Sequence, residues 1–188
     1  MIFKYLKLFS KKFREKIIIN NYKNLSTKEI FEKIYRDKVW NKKSKNMNSG
    51  PGSHNHLLIN PYIEFVLKFL KKEKDISVLD LGCGDFNIGK KIYDQTSSYT
   101  GIDIVQPLID HNKKVFKDKK LNFLCLDIIE NELPKADCII IRQVLQHLDN
   151  KSVSKILKKI VNYKFIIITE HISSGGFKPN IDKPTGPL

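Results

Sequence analysis

The sequence has no hydrophobic run long enough to cross a membrane as a helix. Apolar stretches such as Ile166 to Ile168 fall far short of the roughly 18 residues that a helical span requires, and the N-terminus lacks the apolar block of a signal peptide. Cysteines are scarce and widely separated: Cys83, Cys125 and Cys138. Because a zinc site needs closely spaced thiols or histidine partners, we expect buried thiols in a reducing compartment. These absences favour a cytoplasmic protein without a metal.

Acidic residues are scarce in the first quarter of the chain. Residues 1–50 contain 14 Lys and Arg against 4 Asp and Glu, so most of the formal net charge of +14 belongs there. We predict a basic helical extension over residues 1–50, beginning with an amphipathic helix over 2–18, ahead of a globular domain over 51–188. Such an extension suits peripheral contact with a membrane or with nucleic acid. The alternative is biased use of lysine along the whole chain.

Strands and helices alternate from residue 76 onward. The predicted strands are 76–81, 99–104, 121–126, 137–141 and 165–169. The predicted helices are 27–40, 61–72, 88–93, 107–116 and 152–161, with a polar loop over 41–53. Continuous Ile, Val and Leu runs separated by helices predict an α/β fold with a mainly parallel sheet covered on both faces.

Residues 78–85 read Val-Leu-Asp-Leu-Gly-Cys-Gly-Asp and predict a strand that ends in a glycine turn before a helix. Gly82 and Gly84 remove side chains where a ligand must approach the backbone. Asp103 follows Gly84 by 19 residues, at the end of the second strand, where a carboxylate suits the two hydroxyls of a ribose. Asp127 ends the third strand, where it is suited to an adenine amino group. The pattern therefore predicts a cofactor that contains adenosine.

Two cofactors compete for this architecture. A dinucleotide fold requires a third glycine at the position of Asn87. Carboxylates at Asp80 and Asp85 repel a pyrophosphate, whereas they attract the ammonium group of a methionine moiety. Charge therefore favours S-adenosylmethionine over NAD.

Four segments resemble motifs of the class I S-adenosylmethionine-dependent methyltransferases. Residues 80–84 resemble motif I, 99–103 motif II, 124–127 the acid of the third strand, and 141–147 the motif formed by the fourth strand and the following helix. They occur in the order of the family and span about 76–171. The resemblance implies a Rossmann-like sheet in the order 3-2-1-4-5 and S-adenosylmethionine as the cofactor.

The resemblance also implies residue roles. The cofactor-binding residues are Asp80, Gly82, Cys83, Gly84, Asp103, Ile104, Asp127, Ile128 and Gln143. The backbone near the two glycines would hold the methionine part, Asp103 the ribose, and Asp127 with Ile128 the adenine. The usual third glycine of the family is replaced by Phe86, so we expect a different turn after Gly84.

Candidate catalytic bases follow the fourth and fifth strands. Gln143 and His147 are four residues apart and share one face of the predicted helix. Glu170 and His171 follow the fifth strand, at the carboxyl edge where such sheets bind ligands. His147 and His171 are the candidate bases, each with a structural role as the alternative. His54, in the polar loop, is expected to be solvated, and that loop is a candidate lid. Tyr35 and Trp40 are candidates to cover a sulfonium, with core packing as the alternative.

The resemblance implies methyl transfer to an oxygen or nitrogen of a small molecule or saccharide. A nucleic-acid methyltransferase is the first alternative, although residues 141–144 lack the Asn/Asp-Pro-Pro-aromatic motif of enzymes that methylate base amino groups. Segments 49–53 and 176–179 are similar to those of a small, poorly characterised bacterial-type subgroup.

A shortened, non-catalytic cofactor-binding or partner subunit is the second alternative. Family members normally add two strands after the fifth, whereas the 19 residues after Thr169 are rich in glycine and proline. We therefore expect the sheet to lack its last two strands. Residues 171–188 would then cover the β-branched edge at 165–169, or the chain would self-associate there.

Overall fold

Five parallel strands form one sheet in the computed structural model, which describes residues 20–42, 47–171 and 181–187. The strands are β1 Ser77–Leu81, β2 Ser98–Asp103, β3 Leu121–Cys125, β4 Cys138–Arg142 and β5 Phe165–Thr169. The helices are α1 Thr27–Arg36, α2 Pro51–His54, α3 His56–Glu73, α4 Gln106–Val115 and α5 Asn150–Ile160. The amphipathic helix predicted over 2–18 lies outside the described residues.

The sheet has the order β3-β2-β1-β4-β5, which confirms the predicted topology. Strand order reverses between β1 and β4, and this is the switch point at which doubly wound sheets bind ligands. At the amino ends of β1 and β4, the Asp137 carboxylate accepts hydrogen bonds from the Ser77 N–H and hydroxyl, at 2.8 and 2.7 Å. This pairing fixes the register of β1 against β4 across 60 residues of chain.

Apolar side chains cover both faces of the sheet. Neighbouring residues Ile139 and Ile140 of β4 are both buried but belong to opposite core clusters, because successive side chains of a strand point to opposite faces. Ile140 shares its cluster with Val66 and Leu70 of α3. Ile139 shares the other cluster with Ile156 of α5. The uninterrupted apolar runs in the sequence thus reflect strands that are buried on both sides.

Helix α1 is shorter than predicted. Ser26 and Glu29 form a reciprocal capping box at its start. It ends at Arg36 because Lys38 adopts a left-handed backbone with φ of +51°. Val39, which lies within the predicted helix over 27–40 but beyond the observed end, is exposed.

The predicted helix over 88–93 is replaced by two 3₁₀ turns, Gly89–Lys91 and Tyr93–Gln95. Phe86, two residues before the predicted start, has φ of +59°, a left-handed conformation outside the helical region. This conformation buries the Phe86 ring fully, with its centroid 4.9 Å from that of Phe123. Phe86 thus holds a left-handed conformation that glycine would adopt without strain, and a turn different from that of the family stays a prediction.

Strand β5 is an edge of the described sheet: β4 pairs with one side of it, and no described residue pairs with the other. Ile166 and Ile168 remain exposed. Residues 181–187 were expected to cover this edge but instead bond near the start of α5, where the Gly186 N–H donates to the His147 carbonyl at 2.9 Å. Residues 172–180 lie outside the described part, and self-association through β5 stays a prediction. No helix among the described residues is long and apolar enough to cross a membrane.

Candidate functional site

A cavity of about 270 Å³ lies at the carboxyl ends of β1, β2, β3 and β4. Most of the predicted site residues line it: Asp80, Gly82, Cys83, Asp103, Ile104, Asp127, Ile128, Gln143 and His147. Gly84 and His171 are predicted site residues that do not line it. The alternation of strands and helices therefore brings together side chains from four strand ends.

The two motif glycines have different structural roles. Gly82 lines the cavity with φ of +82°, and a Cβ there would collide with Val144. Gly84, with φ of +55°, is tightly packed, since a Cβ would collide with the Ser49 hydroxyl. Its N–H donates to Asp103 Oδ2 at 3.0 Å. Gly84 therefore positions a cavity carboxylate instead of facing the cavity itself.

Asp103 is held by backbone donors at the end of β2. Its two carboxylate oxygens accept from the N–H groups of Gly84 and Val105, each at 3.0 Å. Burial raises the pKa of Asp103 to about 6, while these backbone bonds oppose the rise. Each carboxylate oxygen can accept a further hydrogen bond. This geometry suits a vicinal diol such as that of a ribose.

Asp80, at the end of β1, supplies a second buried carboxylate. Its Oδ2 accepts from the Tyr99 hydroxyl at 2.7 Å, and burial raises its pKa to about 6. With Asp103 and Asp127, the cavity has three carboxylates against the single guanidinium of Arg142. Such a site attracts a cation, and S-adenosylmethionine carries a sulfonium and an ammonium group.

Lys159 of α5 fixes the loop after β3, a role that the sequence analysis missed. Its Nζ donates to the carbonyls of Ile129 at 2.6 Å, Asn131 at 2.8 Å and Ile128 at 3.3 Å. The Ile129 N–H in turn donates to Asp127 Oδ1 at 2.8 Å. Asp127 and Ile128 are thereby held at the β3 side of the cavity.

Residues 48–54, hereafter the covering segment, close one side of the cavity. Asp85 anchors it: Oδ2 accepts from the Ser49 N–H at 3.1 Å and lies 2.6 Å from His54 Nε2. His54 was expected to be solvated, and this pairing corrects that expectation. Arg142 Nη2 adds a bond of 2.7 Å to the Gly52 carbonyl.

The candidate base His147 lies in a 3₁₀ turn, Leu145–His147, instead of the predicted α-helix. Gln143 has φ of +55°, so the two residues do not share a helix face, although both line the cavity. Burial lowers the pKa of His147 to about 4. Its Nδ1 is buried without a hydrogen-bond partner among the described residues. The imidazole is therefore neutral at physiological pH.

The aromatic side of the cavity is formed by Trp40 and Tyr35. The Trp40 ring centroid lies 5.2 Å from that of Tyr35 and 5.0 Å from that of His147. Trp40 therefore packs against neighbouring rings and also lines the cavity, and its contact with a sulfonium stays a prediction.

The second candidate base, His171, is exposed and away from the cavity. The neighbouring Glu170 has a structural role, since its carboxylate accepts from the N–H groups of Val144, Leu145 and Gln146. It caps the turn that carries His147. In the described part of the chain, no group of three His, Cys, Asp or Glu side chains is arranged to hold a metal.

The sheet order, the glycine turn and the acidic cavity define a Rossmann-like domain with a cavity suited to an adenosine-containing cofactor. A family model described as "Methyltransferase domain" matches residues 79–163. The chain is 29% identical over 96 residues to a malonyl-[acyl-carrier protein] O-methyltransferase of Acetivibrio thermocellus, an alignment that covers 48% of this chain and 34% of that protein. The chain thus spans about a third of that relative.

Two solved structures share the fold. The methyltransferase domain of bacterial CtHen1 matches with a TM-score of 0.50 and 18% identity, over 57% of this chain and 63% of that one. The [4+2]-cyclase SpnF matches with a TM-score of 0.51 and 18% identity, over 62% of this chain and 47% of that one. Residues 79–163 are thus similar to a methyltransferase domain, and the chain shares the fold of the two solved structures.

Proposed function

We propose that the protein transfers the methyl group of S-adenosylmethionine to an oxygen or nitrogen of a small molecule or saccharide. The observation that carries the proposal is the presence of two buried carboxylates, Asp80 and Asp103, and a neutral, half-buried imidazole, His147, around one cavity. The similarity to an O-methyltransferase supports an oxygen acceptor.

Each predicted cofactor-binding residue then has a role. Asp103 accepts from the ribose hydroxyls, while Asp127 and Ile128 bind the adenine. Asp80 attracts the methionine ammonium group, and the backbone at Gly82 leaves room beside it. Cys83, Ile104 and Gln143 complete the walls.

The cofactor supplies a methyl group that its sulfonium already activates. The protein's residues align the acceptor and exclude water. Held by Asp80 and Asp103, the cofactor would supply the methyl group to the acceptor oxygen, and its thioether would leave with the electrons of the carbon–sulfur bond. His147 accepts the hydroxyl proton, for which its unprotonated state at neutral pH is required. The neighbouring Trp40 ring stabilises the imidazolium that forms on His147 by cation–π attraction.

Calorimetry with S-adenosylhomocysteine, S-adenosylmethionine and NAD tests the cofactor. Radiolabelled methyl transfer against pools of small molecules, glycans and RNA then tests the acceptor. We expect the adenosyl ligands to bind and label to enter the first two pools. Labelling of RNA alone would overturn the acceptor class, and binding without transfer would indicate a non-catalytic subunit.

His147→Asn tests the base, with the exposed His56→Asn as its matched control. We expect a loss of turnover with little change in affinity for S-adenosylhomocysteine. Equal turnover in both variants would remove His147 from the proposed mechanism.

A further inference from the structure

Strand β5 has backbone hydrogen-bonding groups that point away from the sheet. The Phe165 N–H donates to the Asp137 carbonyl at 3.0 Å, so the odd-numbered residues of β5 bond to β4. Backbone groups of successive residues point to opposite sides of a strand within its sheet. The N–H and carbonyl groups of Ile166 and Ile168 therefore face the other side, where no described strand lies. The strand thus offers an edge that can accept a second strand.

The side chains at this edge are apolar and accessible. Ile166 and Ile168 are each 39% exposed. Their register partners in β4, Ile139 and Ile141, belong to the core cluster that contains the buried residues of α5. Because register partners of neighbouring parallel strands point to the same face of a sheet, the two exposed isoleucines lie on the α5 face.

An apolar stripe at α5 lies on the same face of the sheet. Val153, Leu157 and Val161 are four residues apart along the helix and line a surface groove. Leu157 and Val161 are exposed. Exposed apolar surface that extends over neighbouring elements marks an interaction site. The stripe and the β5 edge together therefore indicate a contact with another polypeptide.

A second copy of the chain fits this edge. In an antiparallel pairing about a two-fold axis at Ile167, Ile166 of each copy lies opposite Ile168 of the other. Both residues direct their N–H and carbonyl groups to the edge, so each of these pairs exchanges two hydrogen bonds. The isoleucine side chains of each pair then meet on the α5 face, where cross-strand apolar pairs stabilise a sheet.

The charges beside the strand also match in this register. Strand β5 itself is uncharged, and Lys164 of one copy lies opposite Glu170 of the other. Opposite charges across an antiparallel pair are stabilising, whereas like charges are destabilising. The other edge strand, β3, contains the exposed residue Asn122, a type that is unfavourable in strands. The β5 edge is therefore better suited to self-pairing than the β3 edge.

We propose that the protein forms a two-fold symmetric dimer in which the β5 strands of two copies pair antiparallel, with Ile167 at the axis. The pairing makes one continuous sheet across both copies and covers Ile166 and Ile168. A contact of this kind uses the same surface on both copies and closes after two, so it removes the open edge. The dimer does not depend on the cofactor or on the proposed function.

Sedimentation velocity of the full chain over a range of protein concentrations tests the association. We expect the wild type to approach twice the mass of one chain. Ile166→Lys and Ile168→Lys each place a charge at the edge and should raise the dissociation constant about tenfold or more. Val115→Lys is the matched control, because Val115 is exposed at the end of α4, and it should associate as the wild type does. Melting temperatures show that each variant folds.

Oxidative cross-linking tests the register. Ile167 faces its own counterpart in a pair without hydrogen bonds, where the Cα atoms are about 4.5 Å apart, within the range of about 4.4–6.8 Å that a disulfide spans. Ile168 lies two residues, or about 6.8 Å along the strand, from its own counterpart. With oxidised glutathione, Ile167→Cys should therefore form a covalent dimer in higher yield than Ile168→Cys. The wild type, with its three native cysteines, is the blank.

A wild type that stays monomeric at every concentration would overturn the dimer and would leave the edge to another segment of the chain. Association of both lysine variants at the wild-type dissociation constant would overturn the assignment to β5. A higher cross-linking yield for Ile168→Cys than for Ile167→Cys would overturn the register.

Discussion

Replacing Asp80 by asparagine is expected to stabilise the ligand-free protein at neutral pH and to weaken its binding of a cationic cofactor. Burial raises the pKa of this carboxyl from 3.8 to about 6. Asparagine keeps the shape and still accepts the hydrogen bond from Tyr99, but it carries no charge that must be buried. The variant therefore removes a cost that the folded protein bears whenever Asp80 is ionised.

The magnitude follows from linkage. Because the folded pKa is raised, the folded protein holds its proton between about pH 4 and pH 6 while the unfolded chain releases it, so stability falls with rising pH across this window. Raising the Asp80 pKa by about two lowers the free energy of unfolding by roughly 3 kcal/mol at neutral pH. At about pH 4.5 the same calculation gives a cost in the free energy of unfolding of only roughly 1 kcal/mol. The advantage of the variant should shrink by about 2 kcal/mol between the two conditions.

Urea unfolding of the wild type and Asp80→Asn at both pH values measures this difference. Asp75→Asn, at an exposed turn, controls for the loss of one negative charge. Calorimetry at neutral pH should show weaker binding of S-adenosylmethionine by Asp80→Asn. An advantage of equal size at both pH values would refute the assignment of a buried, proton-linked carboxyl to Asp80.

Three further substitutions probe the site. Asp103→Ala should weaken binding of S-adenosylhomocysteine by about 1.5–3 kcal/mol, the usual worth of hydrogen bonds to a charged group; unchanged calorimetric affinity would show that the ribose binds elsewhere. Gly84→Ala should lower the free energy of unfolding by at least about 1–2 kcal/mol, because it forces a side chain into a left-handed conformation against Ser49; unchanged urea unfolding would contradict that packing. Lys159→Met should weaken binding of adenosine about tenfold, since the loop after β3 loses its charged anchor; the exposed neighbour Lys158→Met is the control, and equal affinity in both variants would argue against the anchor.

The strands could be predicted from the sequence because parallel strands buried on both faces consist of unbroken apolar runs between turns. The run at 165–169 matches β5 residue for residue. The segment 88–93 has apolar residues at helical spacing, but it forms 3₁₀ turns after Phe86, whose left-handed backbone packs its ring against Phe123. That packing is tertiary, and no local pattern encodes it.

The cofactor side of the candidate site could also be predicted, since its carboxylates lie at or just after the ends of predicted strands. Arg142 occupies an equivalent position at the end of β4, and an arginine at the end of an apolar run was the available signal for it. Lys159 gave no such signal, because one lysine among many on an exposed-looking helix does not reveal that it reaches three carbonyls. The covering segment is held by the hydrogen bond from Ser49 to Asp85, two residues that are 36 positions apart in the sequence. Only the folded chain brings them together.

The pairing of Ser77 with Asp137 has a kinetic consequence. Strands β1, β2 and β3 are close in sequence, but the sheet is completed only when β4 docks on β1 from 60 residues away. Topologies that depend on such distant pairings fold slowly. Until that step is complete, the uncharged segment Phe165–Thr169 has no strand to pair with and resembles the segments that nucleate aggregation. The yield of soluble protein on refolding should therefore depend on temperature and protein concentration more steeply than its equilibrium stability does.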